Sequence, residues 1–124
     1  MTHQRIALGK AGEDLAADEL ERRGYEIVAR RWRHRAGEID IIARHGETLV
    51  FVEVKAREDR DFGDAAEAVT LRKRQTIVRL AKIFAAEVGW NNRPCRFDVV
   101  TIHLELGQPV VTVYPNAFDE SARA

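Results

Sequence analysis

Among its 124 residues the chain has a single cysteine, Cys95. One cysteine excludes an internal disulfide framework and any four-cysteine zinc site. Prolines number only 3, and aromatic residues make up 7%. Net charge is absent, with 20 basic residues against 20 acidic, so this is not a uniformly basic nucleic-acid protein. Long apolar runs are missing as well. The longest uncharged stretch, Leu106–Phe118, contains two prolines, whereas a membrane-spanning helix needs about 20 apolar residues. The N-terminal segment carries Arg5, Lys10 and Glu13 where a signal peptide would have an apolar core. The expected setting is therefore the cytoplasm, with no membrane partner. His3, His34, His45 and His103 show no metal-ligand spacing, and there is no Walker loop or dinucleotide glycine fingerprint.

What remains is 45% apolar and 32% charged, the composition of an ordinary globular domain. We place that domain at residues 1–114 and a C-terminal tail at 115–124. The zero net charge hides an uneven distribution. Sixteen of the basic residues are Arg, and Arg30–Arg35 reads R-R-W-R-H-R. Between Ala68 and Ala86 there is no acid, but there are Arg72, Lys73, Arg74, Arg79 and Lys82. Acids gather instead at 13–26 and 58–67.

Apolar spacing predicts a helix over 5–23, on the stripe Leu8, Ala11, Leu15, Ala16, Leu20, interrupted by Glu19 and ended by Gly24. Three strands follow at 25–33, 37–44 and 48–57, with a hairpin turn at His45-Gly46 between the last two. Thr48–Val52 is almost continuously apolar, which suits a strand covered on both faces. A charged loop with Gly63 spans 58–66. A second helix runs over 69–87 with Ile77, Leu80, Ala81 and Phe84 inward, and Gly89 stops it. Two further strands occupy 95–104 and 109–114. The expected architecture is α/β, a small mixed sheet of about five strands flanked by helices.

The densest chemistry lies on strands two and three, in Gly37-Glu38-Ile39-Asp40 and Val52-Glu53-Val54-Lys55. With a two-residue turn at His45-Gly46, Arg44 pairs with Glu47, Asp40 lies opposite Phe51 and Glu38 opposite Glu53. Alternation then puts Glu38, Asp40, Glu53 and Lys55 on one side. Like charges opposed in a sheet are destabilising, and carboxylates on apolar strands carry a desolvation cost. Two explanations stand: a salt-bridged strand pair, Glu53 with Lys55 or a nearby Arg, or a site for a hard divalent cation. Glu38 can join such a site or pair with Arg33 or Arg35.

Asp40 followed by Glu53-Val54-Lys55 resembles the PD-(D/E)XK nuclease core, with Ile39 where that motif has proline. Gly9-x-x-Gly12-Glu13-x-x-Ala16 resembles the first helix of archaeal Holliday-junction resolvases. Together with R-F-D-V-V at Arg96–Val100, these segments are similar to the YraN family of small bacterial predicted endonucleases, over residues 5–104. The resemblance implies a restriction-endonuclease-like fold and Mg²⁺- or Mn²⁺-dependent cleavage of DNA phosphodiesters, at branched or damaged sites. It makes Asp40, Glu53 and Glu13 metal ligands and Lys55 the catalytic lysine. It also makes a homodimer plausible. Glu13 lies at the border of the first helix's apolar stripe, where it can face the sheet edge.

Nucleic-acid contacts are expected from Arg30, Arg31, Arg33 and Arg35, and from Lys73 and Arg74 in the first turn of helix two. Trp32 either stacks on a base or packs inward. Asp98 reads as a buried partner of an Arg rather than a catalytic group. Two rival functions remain: a non-catalytic nucleic-acid-binding module on the same fold, and a protein-interaction adaptor.

Overall fold

The structure is a computed structural model, and it describes residues 2–57 and 69–120, with residues 2–9 as backbone alone. The order is α1 (Thr2–Arg22), β1 (Glu26–His34), β2 (Gly37–His45), β3 (Thr48–Ala56), α2 (Leu71–Glu87), β4 (Cys95–Glu105) and β5 (Gln108–Phe118). This is the expected order of helix, three strands, helix, two strands. The loop expected over 58–66 lies outside the described residues, as do residues 121–124.

The strands form one five-stranded sheet in chain order, antiparallel except for the parallel pair β3 and β4. A parallel pair needs a crossover, and α2 lies in the connection between β3 and β4. The apolar run in β3 is buried on both faces, as its composition requires. Leu49 and Phe51 pack with Ile77, Leu80 and Phe84 of α2. Val50 and Val52 pack with Ala16, Ala17 and Leu20 of α1. Phe51 is fully buried between Phe84 and Phe97, with ring centroids 6.1 and 5.8 Å away. Its truncation to Ala would cost about 3–5 kcal/mol. Glu19, which interrupts the apolar stripe of α1, is taken up by Arg22 and Arg23 one turn on.

Several element ends shift by one to three residues from expectation, and two differences change the strand pairing. The β2–β3 turn is Gly46-Glu47, so His45 pairs with Thr48 and Ile42 with Phe51. Gly46 has φ 63°, the left-handed conformation that two-residue hairpins favour and glycine adopts without strain. The turn sits one residue later than expected, which moves the opposed pairs from His45 to Ile41 by two positions and preserves their parity. At the other end of the sheet, β5 continues through Pro115 to Phe118 instead of stopping at 114. Phe118 pairs with Phe97 across a register shift, and Asn116 N–H donates to Asp98 Oδ1 at 2.9 Å. The buried carboxylate and the buried ring hold this segment on the sheet.

One irregularity bears directly on the site. Ile39 and Ile42 both join the α2-side core, whereas Ile41 and Ala43 join the α1-side core. Residues three apart face opposite sides in a regular strand, so β2 slips out of its pleat between Ile39 and Ile42. On β1, Ala29 and Trp32 likewise both pack on the α2 side. Arg30 pairs with Ile41 and Trp32 with Ile39, which brackets Arg31 and Asp40 at the slip. Arg31 has φ 52°, a conformation that costs a non-glycine residue energy.

Candidate functional site

Asp40 stands where β2 and β3 leave their ladder. The regular pairing ends at Ile41 with Val52. Past that point the Asp40 side chain takes over, and its Oδ2 accepts the Val54 N–H at 2.8 Å. Gly37 opens the same strand with φ 153°, and a Cβ there would lie 3.1 Å from Thr76 Cγ2 of α2. The absence of a side chain lets β2 enter close against α2, directly before Glu38.

Three carboxylates converge at the slip. One oxygen each from Glu13, Glu38 and Asp40 lies within 4.8 Å of the others. Glu13 arrives from α1 and is buried; Glu38 and Asp40 are half-buried. Glu53 meets the cluster from β3 through Asp40. It is 8% exposed, and its Oε1 has no hydrogen-bond partner among the described residues. Burial pushes Glu53 up to about 8, the Asp40 charge adds to this, and the Lys73 and Lys55 ammoniums oppose it. Asp40 is also raised, by burial first and then by Glu13, against the stabilising Val54 N–H. The pair holds a proton at neutral pH because two buried carboxylates in contact do not both ionise readily.

Cations surround these acids. Arg31 Nε donates to Glu13 Oε1 at 3.0 Å. Arg30 lies 3.6 Å from the same oxygen and is bonded more closely to Asp14, at 2.7 Å. Arg33 pairs with Glu38 at 3.2 Å. Lys73 Nζ, from the first turn of α2, is 3.9 Å from Glu53 Oε2. That turn is fixed by Thr70, whose side chain accepts the Lys73 N–H as an N-cap. Lys55 is exposed on β3 two residues beyond Glu53.

The residues expected from sequence are thus partly assembled. Glu13 and Asp40 meet, Asp40 and Glu53 meet, and Lys55 is near enough for its charge to act on Glu53. Glu38, which either of two readings could accommodate, satisfies both: it joins the cluster and pairs with Arg33. Arg30, Arg31 and Arg33 are engaged with acids of this region rather than arrayed along an open strand face. Arg35 is exposed in the β1–β2 turn, and Arg74 Nε donates to Val69 O at 3.1 Å. Trp32 packs inward, its ring edge-on to Phe84 at 5.4 Å, so the base-stacking alternative falls away. Sequence reading missed Arg31 as the partner of Glu13. Their proximity depends on the slip in β1, and a plain alternation pattern does not show it.

The arrangement suits a divalent cation. All four acids offer hard oxygen donors, the class that Mg²⁺ and Mn²⁺ prefer. The buried Glu53 Oε1, which lacks a donor, is an unmet electrostatic demand of the kind an ion fills. No helix among the described residues is long and apolar enough to cross a membrane.

Comparison with known proteins gives a consistent family. Residues 12–102 match the profile of the uncharacterised protein family UPF0102. A UPF0102 protein of Roseiflexus castenholzii is 49% identical over 124 residues, covering 98% of this chain and 100% of that protein. Another, from Symbiobacterium thermophilum, is 50% identical over 95 residues, covering 77% of this chain and 80% of its own. A third, from Nocardia farcinica, is 52% identical over 106 residues, covering 85% and 84%. Among solved structures, Pyrococcus furiosus SfsA in complex with Ca²⁺ matches with a TM-score of 0.37 at 18% identity. That match covers 89% of this chain and 63% of SfsA, so the chain spans just under two thirds of that protein's length.

Proposed function

Since the chain belongs to the UPF0102 family, we propose that its acidic cluster serves that family as the centre of a divalent-cation-dependent endonuclease acting on DNA phosphodiesters. The observation that carries this reading is Glu53, a buried carboxylate set against Asp40 with one oxygen unpartnered. Carboxylates brought together out of water destabilise a fold unless something cationic compensates them. The nearby cations reach Glu13, Glu38 and the other oxygen of Glu53, and leave this oxygen unmet.

Asp40, Glu53 and Glu13 would hold Mg²⁺ or Mn²⁺, with Glu38 beside them. When bound, the ion would neutralise charge on the scissile phosphate and acidify a water. Lys55 then orients the attacking water or stabilises the negative charge that develops on phosphate oxygen. Lys73 keeps a positive charge beside Glu53 at the start of α2, and Arg35 and Arg74 extend the basic rim for phosphate contact. Branched or damaged DNA is the substrate form that the resolvase resemblance favours, and a homodimer is the assembly it favours. The expected location is the cytoplasm.

The test is cleavage of single-stranded, duplex, flap and four-way-junction DNA in Mg²⁺ and in Mn²⁺. Wild type is compared with Lys55→Ala and Glu53→Gln, all purified identically. The reading expects metal-dependent cutting by wild type and at least about a hundredfold less by either variant. Equal cutting by the variants sinks it. Salt-sensitive binding without cutting, unchanged in Lys55→Ala, would favour the non-catalytic nucleic-acid-binding module. Absence of DNA binding even at low salt, with a protein partner recovered, would favour the adaptor.

A further inference from the structure

Arg31 occupies an unusual position for a strand arginine. Its backbone is left-handed, with φ 52°, at the point where β1 and β2 leave their pleat together. Its guanidinium donates to Glu13 Oε1 at 3.0 Å, and the charges of Glu38 and Asp40 also hold it protonated. It therefore feels all three carboxylates of the converging cluster. The neighbouring arginines do not share this position. Arg30 lies 3.6 Å from the same Glu13 oxygen but makes its hydrogen bond to Asp14, outside the cluster, and Arg33 reaches Glu38 at the rim. The side chain of Arg31 is 49% exposed, so part of it is open to solvent.

These facts describe a cation held in place by acids that a metal would also use. We propose that Arg31 is a displaceable counter-cation. It neutralises the cluster in the metal-free protein, yields Glu13 when a divalent ion enters, and then presents its freed guanidinium to a phosphate at the rim. The proposal rests on the metal-site reading above and adds the coupling between metal loading and phosphate capture. Two physical requirements support it. An oxygen that donates its electron pairs to a metal ion is a poorer acceptor for Arg31, so the two cations compete for Glu13. Arg suits the second task because its planar fork matches phosphate geometry. The strained backbone fits a residue held by its ion pair rather than by local preference.

The test measures Mn²⁺ binding by calorimetry on the full-length protein, as wild type, Arg31→Gln, Arg79→Gln and Asp40→Asn. Arg79 is exposed on the outer face of α2, so its substitution removes the same charge at a distance. The proposal expects Arg31→Gln to bind Mn²⁺ about fivefold more tightly than wild type, the scale of one half-exposed ion pair, with Arg79→Gln unchanged. With Ca²⁺ present, the salt dependence of Arg31→Gln binding to duplex DNA should fall by about one phosphate contact. Should Arg31→Gln fail to fold, the wild-type Arg31 Nε–H resonance supplies the answer: it should move on Mg²⁺ addition in step with loading. Unchanged or weaker Mn²⁺ binding by Arg31→Gln, or a resonance that ignores Mg²⁺, overturns the counter-cation alone, provided Asp40→Asn abolishes binding. Absence of Mn²⁺ binding in wild type overturns the metal-site reading and the counter-cation with it.

Discussion

Two buried acids sit one register step apart on paired strands and have opposite characters. Val52 pairs with Asp98, and Glu53 pairs with Val99. Asp98 is fully buried and fully partnered. Tyr25 donates its hydroxyl to Oδ2 at 2.7 Å, Arg96 Nε and Asn116 N–H donate to Oδ1 at 2.9 Å each, and Arg96 Nη2 adds a contact at 3.1 Å. Glu53 is almost as buried, yet one oxygen has no donor and its nearest acid neighbour is Asp40. Burial alone therefore does not separate a fully partnered carboxylate from the one we propose as a metal ligand. The donor inventory does: Asp98 needs nothing more, and Glu53 Oε1 lacks a donor.

The contrast can be broken most forcefully at Asp98. Asp98→Ala leaves Arg96 and the Tyr25 hydroxyl without their acceptor at a site closed to water. The expected loss is about 3–5 kcal/mol in unfolding free energy by denaturant titration. A loss below about 1 kcal/mol would mean that the network relaxes and that Asp98 is not the structural acid described above. For activity, the matching substitution is Asp40→Asn, with cleavage rate reduced at least about a hundredfold, or about 2.7 kcal/mol, while unfolding free energy in the absence of metal is unchanged or raised. Equal cutting by Asp40→Asn would remove Asp40 from the chemistry.

A smaller effect separates the two acids by pH. Glu53 is pushed up to about 8 from an ordinary 4.5. A raised folded-state value means that the folded protein holds a proton the unfolded chain has already released. Stability from this source is complete below about 4.5 and is lost as pH rises through 8. Metal-free wild type should therefore be less stable at pH 8 than at pH 5.5, relative to Glu53→Gln, by on the order of 2 kcal/mol. Thermal melts of both proteins in chelator at the two pH values measure the difference. Mg²⁺ should restore wild type at pH 8 and release a proton on binding. Parallel pH profiles for wild type and Glu53→Gln would refute the buried shared proton.

Much of this was legible in the chain before folding. The element order follows from apolar period and glycine stops. The pairing of Asp98 with an arginine follows from one acid inside an apolar strand two residues after Arg96. Parity across the β2–β3 hairpin survives from His45 to Ile41 because a turn displaced by one residue moves each opposed pair by two. The slip before Ile41 changes the face of Ile39, so the common side expected for Glu38 and Glu53 does not hold. Three things were hidden for physical reasons. The slip at Arg31 and Asp40 is a tertiary compromise between two helix-packed faces, and no residue in R-R-W-R announces it. Because of the slip, arginines that read as an open phosphate track instead neutralise acids from α1 and β2. The extension of β5 to Phe118 depends on Asp98 and Phe97, which are distant in sequence, whereas Pro115 locally suggests an end.

The finest test leaves both acids in place and alters one donor. Tyr25→Phe removes the hydroxyl that donates to Asp98 and accepts from Arg96 Nη2 at 2.9 Å. The ring itself remains, stacked on His45 with centroids 4.1 Å apart. Asp98 keeps Arg96 and the Asn116 N–H, so no charge is stranded, and the expected cost is about 1–1.5 kcal/mol by denaturant titration. The substitution should leave Mn²⁺ affinity untouched, because Tyr25 and Asp98 contribute no atom to the cluster of Glu13, Glu38 and Asp40. If the two acids are independent, the effects of Tyr25→Phe and Glu53→Gln on unfolding free energy should add within about 0.5 kcal/mol. A larger interaction energy, or a shifted Mn²⁺ affinity in Tyr25→Phe, would show that the β3–β4 pair transmits between them, and the two acids would have to be treated as one system.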